Sequence, residues 1–126
     1  MDIRELIPKH KDDQEVIEAL KKLSFEEIKP IVPDLLTWLQ DINWPIAARI
    51  AEVLKPFSDR LVPDILTVLK TNDGIWKLWI LTNLVRSTKD ETLLKELERI
   101  AKHPTKDEIE EEVNVEAIAI LNVDYV

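Results

Sequence analysis

The chain contains no cysteine and a single glycine, and each scarcity excludes a class of protein. Without cysteine there is no disulfide, no thiolate zinc site and no cysteine nucleophile, which fits a reducing compartment. Gly74 alone cannot supply the tight hairpins and bulges of a sheet protein, nor a glycine-rich phosphate loop. We therefore expect an all-α fold.

Basic side chains are also too few to balance the acidic ones. The chain has 17 Lys and Arg against 25 Asp and Glu, a net charge of -8 and a pI near 4.8. A chain with a net negative charge is repelled by the phosphate backbone of nucleic acids, so we expect no nucleic-acid partner.

No membrane or export segment is expected either. Residues Met1 to Glu5 lack a basic stretch followed by an apolar run, which a secretory signal needs. The longest uncharged runs, such as Leu78 to Val85, are far shorter than the ~20 residues of a membrane span. We predict a soluble, cytoplasmic protein.

One segment of the sequence is duplicated. Residues 31–54 recur as residues 61–84 at a constant offset of 30, with eight identities and no gap. A fixed period in this range is typical of stacked supersecondary units. The identical pairs are Val32/Val62, Pro33/Pro63, Asp34/Asp64, Leu36/Leu66, Thr37/Thr67, Leu39/Leu69, Ile50/Ile80 and Leu54/Leu84.

Each copy has the pattern of a helical hairpin. Apolar residues recur every three or four positions up to Leu39, stop over residues 40–43, and resume at Ile46. Asn43 is a predicted cap for the second helix, with Pro45 in its first turn, where a missing N–H costs nothing. The second copy repeats the order, with its break at residues 71–74.

Outside the repeat, caps predict the other helices. Asp12 or Asp13 is expected to cap a helix over residues 13–23, and three capping boxes are expected to open later ones. The boxes are Ser24 with Glu27, Thr88 with Glu91, and Thr105 with Glu108. We predict one domain over residues 1–126 with about seven helices, closed by a capping hairpin at residues 90–122.

The repeat resembles a HEAT-type unit, which has an early proline, an Asp in the turn, and a basic residue after an apolar one. The first copy matches at Pro33, Asp41 and Ile46, while Ala47 occupies the basic position. The second copy matches at Pro63, Trp76 and Lys77, with Thr71 at the Asp position and Asp73 two residues away. The resemblance implies an α-α superhelix, armadillo-like in shape, whose second helices line an inner surface.

Two further segments, Leu6 to Asp13 and Trp38 to Pro45, resemble a group of small uncharacterised bacterial proteins, a domain of unknown function. That resemblance carries over no activity.

No catalytic or metal centre is expected from the sequence. His10 and His103 are not spaced like the ligands of a metal site. We expect His10 to be an exposed residue of the N-terminal arm and His103 to complement the dipole at a helix C-terminus. Ser24, Ser58 and Ser87 stand at helix starts, where capping accounts for them. We expect no enzyme activity, no metal and no cofactor.

Tryptophans indicate a binding surface. Trp76 shares a stripe with Ile80 and is predicted to be core, whereas Trp38 is open to either interpretation. Trp79 aligns with Arg49 of the first copy, so it is not expected to be deeply buried; packing under the C-terminal hairpin is the alternative. Tryptophan and arginine are typical of binding hot spots. The predicted binding residues are Asp41, Trp44, Arg49, Glu52, Asp73, Trp79 and Arg86.

These features favour a non-catalytic protein-interaction module. A sharper hypothesis is an acidic immunity or inhibitor-type protein that masks a basic partner, as a monomer or a weak homodimer. The acidic run Asp107 to Glu112 is either a docking surface or a solvated face complementing a helix dipole. The alternative function is a small-ligand carrier or enzyme with a pocket between helical hairpins.

Overall fold

The computed structural model describes residues 2–85 and 88–123, and within these ranges all regular structure is helical, with no strand. The predicted all-α fold is therefore confirmed. No helix in the described part of the chain is long and apolar enough to cross a bilayer. The chain divides into two compact units, residues 1–57 and 58–126, which are described separately.

The first unit opens with a 3-10 turn and is built on four α-helices. Its core is formed where the apolar stripe of the first helix packs against the fourth. The backbone N–H of Ile46 donates to the carbonyl of Lys11 at 3.0 Å, which ties the N-terminal segment to the start of the fourth helix. The elements are the turn Ile3–Leu6, α1 (Glu15–Lys21), α2 (Phe25–Ile28), α3 (Val32–Thr37) and α4 (Pro45–Leu54). Fully buried core residues include Ile17, Ile28, Leu35, Leu39, Ile46 and Ile50.

Prolines set the helix limits here. A 3-10 turn, Lys29–Ile31, separates α2 from α3, because Pro30 has no N–H to continue an α-helix. Pro45 is the first residue of α4, as predicted, but the capping role of Asn43 is wrong. The N–H of Asn43 donates to the Asp41 carboxylate at 2.9 Å, and Trp44 holds the N-cap position without a side-chain bond.

Of the caps predicted for the first two helices, one is wrong and one is confirmed. Neither Asp12 nor Asp13 caps α1, whose N-cap is Gln14, because the Asp13 carboxylate accepts instead from the N–H of Lys9 at 3.1 Å. The capping box of Ser24 and Glu27 is confirmed. Glu27 accepts from the N–H of Ser24 at 3.0 Å, and the Ser24 hydroxyl accepts from the N–H of Glu27 at 3.3 Å.

The described part of the second unit contains five α-helices around one apolar core. Its most extensive contact is between the seventh and ninth helices, and the sixth packs on the fifth, eighth and ninth. Both copies of the repeat thus form two helices joined by a short turn, as predicted. The helices are α5 (Val62–Leu69), α6 (Gly74–Leu84), α7 (Glu91–Lys102), α8 (Lys106–Glu110) and α9 (Val113–Val123). Buried core residues include Ile65, Leu69, Ile80, Leu84, Leu97, Ile100 and Val113.

The N-cap of α7 lies two residues after the predicted cap, Thr88. The Asp90 carboxylate accepts from the N–H of Leu93 at 2.9 Å, so Asp90 and not Thr88 is the N-cap. Thr88 accepts instead from the N–H of Asp90 at 3.1 Å. The capping box that opens α8 is confirmed: Glu108 accepts from the N–H of Thr105 at 2.8 Å.

The predicted last helix is in fact two, α8 and α9. Glu112, between them, has φ of 59°, and no other non-glycine residue in the described ranges has a positive φ. A left-handed residue ends the hydrogen-bond pattern of one helix and lets the next start in a new direction. This break, with the one at Pro30, is why the chain has more helices than the seven expected.

Replacing Glu112 with glycine is expected to stabilise the protein by about 0.5–1 kcal/mol, because a side chain in the left-handed region costs more than the extra chain entropy of glycine. Urea unfolding measures the change. Glu98→Gly, at an exposed position inside α7, is the control and should lose about 1 kcal/mol. Destabilisation by both variants would show that Glu112 carries no strain.

Candidate functional site

The turn between α5 and α6 is fixed by short-range hydrogen bonds. The Thr71 hydroxyl donates to the carbonyl of Val68 at 2.7 Å and accepts from the N–H of Asp73 at 3.4 Å. The Asp73 carboxylate then caps α6 by accepting from the N–H of Trp76 at 3.0 Å. The turn therefore holds Asp73 and Gly74 in fixed positions at the start of α6.

Gly74 lets α8 approach the start of α6 closely. It is buried, and a Cβ atom there would collide with the backbone carbonyl of Asp107. Any other residue would force the two backbones apart. The single glycine of the chain is thus required by tertiary contact and not by a positive φ.

Lys77, one turn further along α6, is buried to 1% exposure. Its Nζ lies 2.8 Å from Oδ2 of Asp107 and 2.9 Å from Oε2 of Glu108. A buried ammonium is tolerated only when it is paired, so these contacts compensate its loss of water.

Glu108 is completely buried and receives charged donors from two helices. Besides Lys77, Arg99 on α7 donates from Nη1 to Oε1 at 3.0 Å and from Nη2 to Oε2 at 2.7 Å. The Nε of Arg99 also donates to Glu96 at 2.6 Å. We call Lys77, Glu96, Arg99, Asp107 and Glu108 the Glu108 network.

The protonation of this network follows from its contacts. Burial by itself raises the pKa of Glu108, but the hydrogen bonds from Arg99, Thr105 and Lys77 outweigh burial and lower that pKa to about 2. Burial likewise raises the pKa of Asp107, yet its bond to Lys77 brings the pKa below the usual value. The hydrogen bond to Glu108 raises the pKa of Arg99. Both carboxylates therefore stay ionised near neutral pH and are poor proton donors.

An open groove of about 410 Å³ lies beside the network, between the α5–α6 turn and α8. Its walls are residues 72–75 on one side and Asp107, Glu110 and Glu111 on the other. Among the described residues that line it none is basic, and Ile75 is 44% exposed. The acidic groove therefore combines carboxylates with one accessible apolar side chain.

The predicted binding residues of the second unit do not form one surface in the part of the chain that the structure describes. Asp73 lies in the acidic groove, Trp79 is half-buried on α6, and Arg86 lies outside the described residues. Trp76 is half-buried, so its assignment to the core is wrong. The buried side of α6 runs instead through Lys77, Ile80, Leu81 and Leu84.

In the first unit, two of the predicted residues share one turn. Trp44 packs edge-on against Trp38, with ring centroids 5.5 Å apart, and the carboxylate of Asp41 bonds the same turn. Arg49 is half-buried and Glu52 exposed on α4. The inner surface proposed from the sequence draws on both units, so it stays a prediction.

The sequence interpretation missed the Glu108 network. The sequence predicts that the acidic run is a docking surface or a solvated face, but Glu108 within it is fully buried. One signal was available: Lys77 stands on the apolar stripe of α6, in line with Ile80 and Leu81, where a lysine needs a carboxylate partner. Its partner, far along the chain, has no such signal.

No described group of three or more His, Asp or Glu side chains is placed to hold a metal ion. His10 and His103 are both exposed.

A family model matches residues 6–121, and its description is Domain of unknown function (DUF5071). The chain belongs to this family. The expected membership of a domain of unknown function is therefore confirmed, whereas the HEAT-type resemblance stays a prediction. No curated protein compared with the chain matches it.

Glu108→Gln should destabilise the protein by about 2–4 kcal/mol, because it removes one partner of a buried charge while leaving the other in place. The expected loss of stability is small for a broken buried ion pair, because Lys77 still pairs with Asp107 and Arg99 still pairs with Glu96. Urea unfolding at pH 7 measures it. Glu110→Gln is the matched control, exposed and within about 0.5 kcal/mol of wild type. Equal effects of the two variants would contradict a stabilising network.

The advantage of wild type over Glu108→Gln should depend on pH. The folded pKa of Glu108, about 2, is below its ordinary value of 4.5, so the stabilisation is complete above pH 4.5 and is lost as the pH falls toward 2. The lost part is up to about 3 kcal/mol. Urea unfolding of both proteins between about pH 3 and pH 7 measures the difference, which should fall by about 2 kcal/mol by pH 3; the effects of the other carboxylates cancel in it. A difference independent of pH would contradict the depressed pKa.

Proposed function

We propose that the protein is a non-catalytic binding module whose acidic groove holds a basic segment of a partner protein. The observation that carries the proposal is the lining of the groove: carboxylates on both walls, no basic side chain among its described residues, and an exposed Ile75. The partner segment we propose has an arginine or lysine next to an apolar residue.

Charge supports this choice of partner. Asp107 is already paired with Lys77, but Asp73, Glu110 and Glu111 border the groove and attract cations. Glu110 pairs with Lys106 at 3.9 Å, but both side chains are largely exposed to water, which weakens the ion pair. The charge of -8 on the whole chain adds long-range attraction for a basic partner and speeds its association.

The scaffold of the groove supports binding as well. The bonds of the α5–α6 turn hold one wall, and the Glu108 network holds α8, which forms the other. Preorganised walls lower the entropy cost of association. An arginine suits such a site, because its planar guanidinium donates two parallel bonds to a carboxylate.

A small-ligand function is less well supported. The volume of about 410 Å³ is within the range of small-molecule sites, but those are mostly enclosed and apolar. This groove is open, and acidic side chains dominate its lining. An extended segment of a partner protein suits such a surface better than a buried ligand does.

Two wider parts of the proposal rest on the sequence. We propose that residues 31–54 and 61–84 are HEAT-type units, supported by the helix–turn–helix that each copy forms. We also propose a cytoplasmic location and an inhibitor-type role that masks a basic partner, supported by the cysteine-free, acidic composition.

The test is an NMR titration of the full chain with a short capped peptide that contains two arginines and one leucine. Amide shifts should change at residues 72–75 and 107–111, and the double variant Glu110→Lys with Glu111→Lys should weaken binding about tenfold. The matched control, Glu91→Lys with Glu98→Lys on the exposed face of α7, has the same net charge and should bind within about twofold of wild type.

Three outcomes would overturn the proposal. The first is no shift change at the groove at millimolar peptide. The second is equal weakening by the double variant and by its control, which would mean non-specific attraction to an acidic chain. The third is binding of spermidine as tight as that of the peptide, which would favour the small-ligand alternative.

A further inference from the structure

The helix α9 is apolar on both its buried and its exposed sides. Val113, Ala117 and Ile120 are buried in the core of the second unit. On the opposite side Val115 is 56% exposed and Ile118 43% exposed, and Ala119 and Asn122 are exposed with them. These four residues follow the spacing of one helical stripe, and we call them the α9 face.

The helix α7, which packs against α9, shows what an ordinary surface helix in this unit looks like. Its outer side is polar, with the exposed residues Glu91, Thr92, Lys95, Glu98 and Lys102. A helix that faces water normally carries such a side. The α9 face carries no charge at all, so its composition is that of a contact surface.

We propose that the α9 face pairs with the same face of a second copy of this chain, with the two helices antiparallel. A twofold interface brings each region against its own counterpart, so acidic surface would face acidic surface in a chain of charge -8. The uncharged α9 face avoids that repulsion. This pairing is independent of the acidic groove and of its proposed partner.

The order of side chains on α9 fits an antiparallel pair. With the twofold axis between Ile118 and Ala119, Ile118 of each copy lies over Ala119 of the other, a large side chain against a small one. Val115 of each copy then meets Asn122 of the other. Such alternation of large and small residues lets two helices pack closely.

The size of the face sets the expected strength. Eleven residues make a helix about 16 Å long, and a single helix pair of this length buries less than the ~1,200 Å² of standard interfaces. The dimer is therefore a weak one, which forms and separates with protein concentration.

The first test is sedimentation velocity of the full chain, from about 10 µM to roughly 1 mM. Wild type should shift from monomer to dimer, and Ile118→Lys should stay monomeric throughout. Thr92→Lys, on the polar side of α7, is the matched control and should dimerise like wild type. Both lysines lower the net negative charge, so a loss confined to Ile118→Lys cannot come from general repulsion.

A second test uses the absence of cysteine from the chain. Ala119→Cys should form a disulfide-linked dimer under mild oxidation, because the two copies of residue 119 lie on either side of the axis. Thr92→Cys is the control and should remain largely uncrosslinked. Both positions are exposed, so folding is expected to survive and is checked by circular dichroism.

The proposal is overturned if wild type remains monomeric over the whole range. It is also overturned if Ile118→Lys dimerises like wild type, or if Thr92→Lys abolishes association to the same extent. Equal crosslinking of the two cysteine variants would mean random collision and not a defined pair.

Discussion

The second unit depends on the compensation of one buried positive charge, that of Lys77. Lys77 stands on the buried, largely apolar side of α6, and its ammonium is paired because α8 brings Asp107 and Glu108 to it. Glu108 in turn binds Arg99 of α7, so one carboxylate joins three helices. Buried ion pairs contribute little net stability compared with apolar packing, but a broken one is costly. We infer that this network fixes which way α8 faces.

The same arrangement explains why the acidic groove is negative beside a network that contains two cations. Lys77 and Arg99 direct their charge inward, toward Glu108, and neither lines the groove. At the groove, by contrast, Asp73 accepts from the uncharged backbone N–H of Trp76, and Glu110 contacts Lys106 at 3.9 Å in an ion pair that water weakens. The two cations of the network are therefore paired with its own carboxylates and do not neutralise those that border the groove.

Local patterns predicted where the helices lie but only some of their ends. Apolar spacing gave both hairpins of the repeat, and the boxes at Ser24 and Thr105 involve residues that are close in sequence. The burial of Glu108 depends on Lys77, which is 31 residues away in the sequence, and patterns of neighbouring residues cannot predict such a contact. The cap of α7 was missed because Asp90 and Thr88 are both good acceptors, and only backbone geometry decides between them. The groove could not be predicted from apolar spacing or from capping motifs, since it forms where two segments distant in sequence approach each other.

Gly74 has a consequence for the history of this family. The backbone of Asp107 fills the space that a side chain at position 74 would need. Gly74 can therefore be replaced only if the spacing between α6 and α8 also changes. A relative that acquired alanine at this position would have to move α8 outward, lengthening the reach required of the lysine and opening the groove. Substitutions at Gly74, Lys77 and Glu108 are therefore expected to be inherited as a set.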